Sequence, residues 1–193
     1  QRKKLAGITT RINLKASILR KRENGQPPFM LPGLFCMEEK PVTGNEYSDL
    51  IAAYLVENYR DKGLQVFREV SLGKTIIGKN RRVDIFALHE PTQRALSIEC
   101  KFQGGNGTAD EKVPYTLDDL EAMRIPACVV YAGDGFSEGI KHMLAAHHMA
   151  AYAYPLISLR SSKETRELDH VLAMAFNWWD LVLKGKSEVL LPR

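Results

Sequence analysis

A chain of 193 residues with 45% hydrophobic content is long enough for one well-filled core with an appendage. A formal charge of +4 is compatible with a nucleic-acid partner without requiring one, and no apolar run reaches the length of a membrane span. Three cysteines, Cys36, Cys100 and Cys128, with no C-x-x-C spacing, argue against a disulfide framework or a zinc site and for a reducing compartment, so a soluble cytoplasmic protein is expected.

The amino-terminal segment is basic: Gln1 to Arg22 holds eight Lys or Arg residues, including Arg20, Lys21 and Arg22, and no acid. It lacks the apolar core of a signal peptide. Scattered apolar positions suit an amphipathic helix or a mobile arm, and the basic face suits phosphate contacts as well as plain solvation. Residues 1–40 are therefore set apart as an irregular extension and residues 41–193 as the folded domain. Thr43 with Glu46 forms a capping box, and Tyr47, Leu50, Ile51, Tyr54 and Leu55 follow at helical period, which predicts a helix from about Gly44 to Asp61. Leu64–Leu72 reads as a strand, Gly73–Asn80 as a turn, and Arg81–Leu88 with Arg94–Phe102 as a β-hairpin. Beyond a glycine-rich loop at 104–108, Thr116 caps a short predicted helix, Leu117–Arg124, in which Asp118, Asp119 and Glu121 suit the dipole at its start. A buried strand is expected at Ala127–Ala132, a helix over Ser137–His148, a strand over Ala151–Ser158 and a long helix over Ser162–Leu183. An antiparallel meander followed by a parallel crossover yields a mixed central sheet with helices on both faces.

The hairpin organises this chain. Asp84 lies in its first strand, and Glu99, Lys101 and Gln103 share one face of the second because side chains alternate. Charges on strands otherwise rich in apolar residues need partners. A solvated ion pair on an amphipathic sheet accounts for the pattern. So does chemistry: two carboxylates on neighbouring strands can hold a hard divalent cation such as Mg²⁺, and a lysine beside them can orient water or stabilise charge on a phosphate.

The order of elements over residues 43–158, with Val83-Asp84 on one strand and Glu99-Cys100-Lys101 on the next, resembles the PD-(D/E)xK nuclease superfamily, the fold of many restriction endonucleases and Holliday-junction resolvases. Glu46 matches an additional acid of many members, and Gln103 a polar residue that follows the lysine in some. Gly107–Tyr115 is similar to a loop after E-x-K in others. Val83 departs from the proline common before the first acid. The resemblance implies a restriction-endonuclease-like fold and Mg²⁺-dependent hydrolysis of DNA phosphodiesters, with Mn²⁺ able to substitute. Asp84 and Glu99 would bind metal, with the backbone carbonyl of Cys100 as a further ligand and Glu46 binding a second ion or tuning the first. Lys101 would position water. It also implies a double-stranded DNA substrate, a homodimer and a prokaryotic or phage origin. Lys74, Lys79, Arg81 and Arg82, with the basic arm, are the expected phosphate contacts. A catalytically silent DNA-binding module, a structure-specific nuclease and an RNA-processing nuclease are the alternatives.

Other constellations are weaker. His142 and His147 are five residues apart on one predicted helix, a poor spacing for joint ligation. His89 reads as a turn residue. Gly104, Gly105 and Gly107 do not lead from a strand into a phosphate-binding helix, so no nucleotide cofactor is expected. Trp178-Trp179 reads as core or interface, and the Ser162–Leu183 helix as a candidate dimer surface.

Overall fold

The computed structural model describes residues 43–105, 109–156 and 158–189. The basic arm with Arg20, Lys21 and Arg22, and Cys36 with it, lies outside the described residues.

Helix α1 (Gly44–Tyr59) starts at the capping box expected from its sequence: Thr43 accepts from the Glu46 amide at 3.2 Å, and Glu46 Oε2 accepts from the Thr43 amide at 3.0 Å. Its buried stripe, Tyr47, Ile51, Tyr54 and Leu55, faces the sheet. Strands β1 (Leu64–Lys74), β2 (Asn80–His89) and β3 (Arg94–Phe102) form an antiparallel meander. Helix α2 (Ala109–Glu121) leads to β4 (Ala127–Ala132), and α3 (Glu138–Ala146) leads to β5 (Ala150–Tyr152), both strands running parallel to β3. The sheet order is β1-β2-β3-β4-β5. Helix α4 (Arg166–Phe176) and the short α5 (Asp180–Leu183) complete the chain. Among the described residues no helix is long and apolar enough to cross a membrane.

Two cores follow from strand alternation. On one face, Ile85, Ala87, Leu96, Ile98 and Cys100 meet α1 and the α4 residues Leu168, Leu172 and Phe176. On the other, Val129 and Tyr131 of β4 meet Val113, Leu117 and Leu120 of α2 and Leu144 of α3. The mixed α/β sheet covered on both faces is the restriction-endonuclease-like architecture.

Several expected boundaries move. Helix α2 begins at Ala109 instead of Leu117, so the segment before Tyr115 is helical despite Pro114, and Asp119 sits near the helix end instead of its start. Helix α3 stops at Ala146, because His147 takes extended backbone; His147 and His148 are thus off the helix. Strand β5 is three residues long. The long final helix breaks at Asn177, which adopts the left-handed conformation favoured at such stops, and turns Trp178 back into the core. His89 is the buried last residue of β2, its ring bonded to Thr92 and to the Lys62 carbonyl and packed against Trp178. Cys100 and Cys128 are buried thiols in strands, as expected.

Candidate active site

The β2–β3 ladder ends at the Ile85–Ile98 pair. The next residues toward the open end are Asp84 and Glu99, and alternation carries both to the face of the Phe86–Ser97 pair. Beyond Ile98 the β3 amides turn to a different partner. Asp84 Oδ2 accepts the Cys100 amide at 2.8 Å, replacing the backbone bond that β2 no longer supplies. The carboxylate is thereby fixed at the fork between the strands. The same register directs the Cys100 thiol to the opposite face, into the α1 core.

Glu99 stands against Asp84, and Lys101 Nζ lies 3.3 Å from Glu99 Oε2. The Glu99 and Lys101 side chains are only 16% and 20% exposed, so this is not the solvated surface pair that spacing also allowed. Burial pushes the Glu99 carboxyl up to about 7; the Lys101 charge opposes that rise and the adjacent Asp84 carboxylate reinforces it. A site that crowds two carboxyl groups until one holds a proton near neutrality is short of positive charge. Hard oxygen donors in that state fit a divalent cation of the Mg²⁺ kind.

Arg68 ties this fork to α1. Its Nε donates to the Asp84 carbonyl at 2.9 Å, its Nη2 to Ser48 Oγ at 2.5 Å, and its Nη1 pairs with Asp49. Sequence reading missed this bracket, although the signal was there: Leu64, Val66, Arg68 and Val70 share one strand face, and a lone charge on an apolar face requires a partner. Across from Asp84, Glu69 holds a left-handed backbone, with φ of 58°, between the Arg68–Ile85 and Val70–Val83 pairs. Such a conformation is uncommon for a side-chain-bearing strand residue.

The other expected site residues are placed as follows. Glu46 is in the first turn of α1, one turn before the Arg68 contacts, with Oε2 engaged by Thr43. Gln103 is buried, and its amide is spent on a junction: Nε2 donates to the Gly135 carbonyl at 2.7 Å and to Asp110 at 3.2 Å, and Oε1 accepts from the Ala109 amide at 2.9 Å. It fastens the start of α2 to the loop after β4, so it positions rather than reaches a phosphate. That loop needs glycine at Gly133, where φ is 106° and a Cβ would lie 2.2 Å from the Gln103 carbonyl oxygen. Arg81 is also a correction. It is buried and bonds Asp119 through Nε at 3.0 Å and Nη2 at 2.8 Å, so its guanidinium is not presented to a phosphate. Burial would raise the Asp119 carboxyl, but hydrogen bonds from Arg81 and the Ile76 amide outweigh it and hold it below its ordinary value. Lys74 and Lys79 are exposed, as is Arg82, which pairs with Glu69 at 3.0 Å.

Glu121, His147 and His148 place one ligand atom each within 4.8 Å of one another at the far end of α2. The Met149 amide donates to His147 Nδ1 at 3.2 Å, and His147 Nε2 lies 3.7 Å from a Glu121 carboxylate oxygen.

Residues 43–179 match the PD-(D/E)XK nuclease superfamily domain. The chain belongs to that superfamily. The matched span takes in both sides of the fork. Among solved structures, a repair endonuclease from Pyrococcus abyssi is similar over 53% of this chain and 44% of its own length, at 19% identity and a TM-score of 0.33. The PD-(D/E)XK chain thus spans less than half of that structure. No match is found among curated protein sequences.

Proposed function

We propose that this nuclease domain is a divalent-metal-dependent DNA endonuclease of the type II restriction or phage-encoded kind. The observation that supports the reading is the buried cluster at the fork: two carboxyl groups in contact, one held near neutrality, with a lysine ammonium 3.3 Å from one of them. Asp84 and Glu99 would hold Mg²⁺ or Mn²⁺, the Cys100 carbonyl would offer a further oxygen, and Glu46 would bind a second ion or tune the first. When bound, the cation neutralises phosphate charge and acidifies its water. The rest falls to the chain's own residues. The Cys100 amide holds Asp84 in one rotamer, so the carboxylate needs no reorganisation. Lys101 positions the attacking water and stabilises the charge that develops on the phosphate oxygens. Water forms a bond to phosphorus in line with the ester oxygen that leaves, the water's proton passes to solvent, and no covalent nucleophile is needed.

Exposed Lys74, Lys79 and Arg82 support a polyanionic substrate on the hairpin beside the fork. Double-strand cleavage by one small domain favours a twofold homodimer. The retained triad of Asp84, Glu99 and Lys101 speaks against a silent binding module. The test is conversion of supercoiled plasmid to nicked and linear forms in Mg²⁺, beside an RNA of equal length. Cleavage of the plasmid is expected; an intact plasmid with RNA cut instead overturns the DNA assignment, and neither substrate cut overturns the reading.

A further inference from the structure

The hairpin between β1 and β2 breaks a local rule. Its tip is a tight turn: the Gly78 amide donates to the Thr75 carbonyl at 2.8 Å, the Thr75 amide to the Lys79 carbonyl at 2.8 Å, and the Lys79 amide to Thr75 Oγ1 at 3.1 Å. That bonding puts Ile76 and Ile77 at the two central positions. Turn centres favour Gly, Pro, Asn, Asp and Ser, which supply the conformation or bond their own backbone. Two β-branched apolar residues do neither. Nor are they buried: Ile76 is 48% and Ile77 59% exposed. The turn is also braced. The Ile76 amide donates to Asp119 Oδ1 at 2.7 Å, and the same carboxylate holds Arg81 through two bonds. A rigid, outward-facing apolar tip on a soluble domain calls for an occupant.

Charge says which. From Lys74 to Arg82 the hairpin has four cations and no acid. Arg81 is spent on Asp119; Lys74 and Lys79 are exposed around the tip, and Arg82, exposed beside them, pairs with Glu69 at 3.0 Å in a solvent-facing contact that a phosphate can displace. A second copy of this chain would bring the same cations to the contact and be repelled. A polyanion with an apolar interior is complementary, and duplex DNA is one, with phosphates outside and stacked bases within. We infer that Ile76 and Ile77 form a wedge that enters a base step of the duplex while Lys74, Lys79 and Arg82 hold the flanking phosphates. Apolar side chains inserted in this way partly unstack the step and kink the duplex by roughly 20–90°. This rests on the DNA endonuclease reading and adds how the substrate is gripped: the protein senses the ease of opening a step as well as any base it touches.

A sequence-independent readout tests it. Relaxed closed plasmid is incubated with the domain and a type I topoisomerase in Ca²⁺, then deproteinised and resolved by linking number. Wild-type protein is expected to leave a linking-number change that grows with bound protein. The Ile76→Ser, Ile77→Ser double variant, with a matching melting curve, is expected to bind the plasmid by gel shift and leave none. Ile77→Phe, which keeps an apolar wedge, is expected to retain the change and serves if the serine variant fails to fold. Plasmid nicking in Mg²⁺ is scored in parallel. Nicking without any linking-number change overturns the wedge and leaves the nuclease reading standing. Equal changes from wild type and a folded serine variant overturn it too, as does a serine variant that alters only the sedimentation coefficient, which would assign the tip to a second copy. Neither binding nor nicking by wild type overturns both.

Discussion

Lys101 and Glu99 divide the work at the fork, and each leaves a separate signature. Replacing Lys101 by alanine removes a preorganised cation from the reacting phosphate, a loss of about 2.7–4 kcal/mol in barrier, or roughly a hundredfold to a thousandfold in rate. A merely structural ion pair would cost roughly 0–1 kcal/mol in stability and leave the rate alone. A plasmid time course in Mg²⁺ beside a gel shift in Ca²⁺ separates the two, with slow cleavage and intact binding expected. Glu99 governs pH. Its carboxyl is held up to about 7 in the folded chain, so metal must displace a proton below that value. Calorimetric titration with Mn²⁺ is expected to show affinity rising with pH and levelling off above about 7, and Lys101→Ala should move that break upward because the lysine holds Glu99 down. The sign for stability is opposite. A carboxyl with a raised folded pKa favours the fold at low pH, and this contribution is lost as pH rises from the ordinary carboxylate range to about 7. In EDTA the melting temperature should therefore fall across that window, and Mg²⁺ should restore more of it at pH 8 than at pH 5.

Elements are held in register by buried polar brackets. Arg81 and Asp119 bind the β1–β2 hairpin to α2, and both are nearly buried. Asp119→Ala strands the guanidinium, which should cost about 3–5 kcal/mol in urea unfolding. Because Asp119 is held below its ordinary range, the bracket is present at neutral pH and lost on acidification through that lowered value. A second bracket joins α1 to α4: Asp169 accepts from the Tyr54 hydroxyl at 2.5 Å, from Tyr59 at 2.6 Å and from Ser161 at 2.5 Å. The third is the Gln103 junction. Gly133→Ala would place a Cβ on the Gln103 carbonyl, in a conformation unsuited to alanine, and should destabilise by more than about 1 kcal/mol in the same unfolding measurement. The loss should appear in Tm without altering the Mn²⁺ break at Glu99, because Gly133 touches the junction and not the fork.

At the scale of the molecule, the carboxyl-terminal surface splits between two roles. Trp178 is internal, stacked on Tyr59 with ring centroids 5.5 Å apart, and is not available to a partner. Trp179 and Leu183 are 49% and 59% exposed, and with Met174 and Val182 they are the exposed large apolar residues of the expected dimer surface. If the homodimer forms there, Trp179→Ser with Leu183→Ser should shift sedimentation from dimer to monomer and slow linearisation of nicked plasmid more than the first nick. A wild-type protein that sediments as a monomer, free and on DNA, rules this assembly out.

Local pattern alone determined α1 with its capping box, the β2–β3 hairpin, β4 and the placement of Glu99, Lys101 and Gln103 on one face, because alternation and capping act over two to four residues; the Ile85–Ile98 register decided that Asp84 joins them. Contacts distant in sequence decided the rest. Pro114 and a run of polar residues hide the start of α2, which forms because Gln103 receives its first amide. Asn177 stops α4 so that Trp178 can fill the space against Tyr59 and His89. Arg81 resembles a phosphate ligand in sequence and is an internal clamp only because Asp119 arrives from another element. The pKa of Glu99 depends on its burial and on the nearness of Asp84, two facts about packing that no spacing along the chain contains.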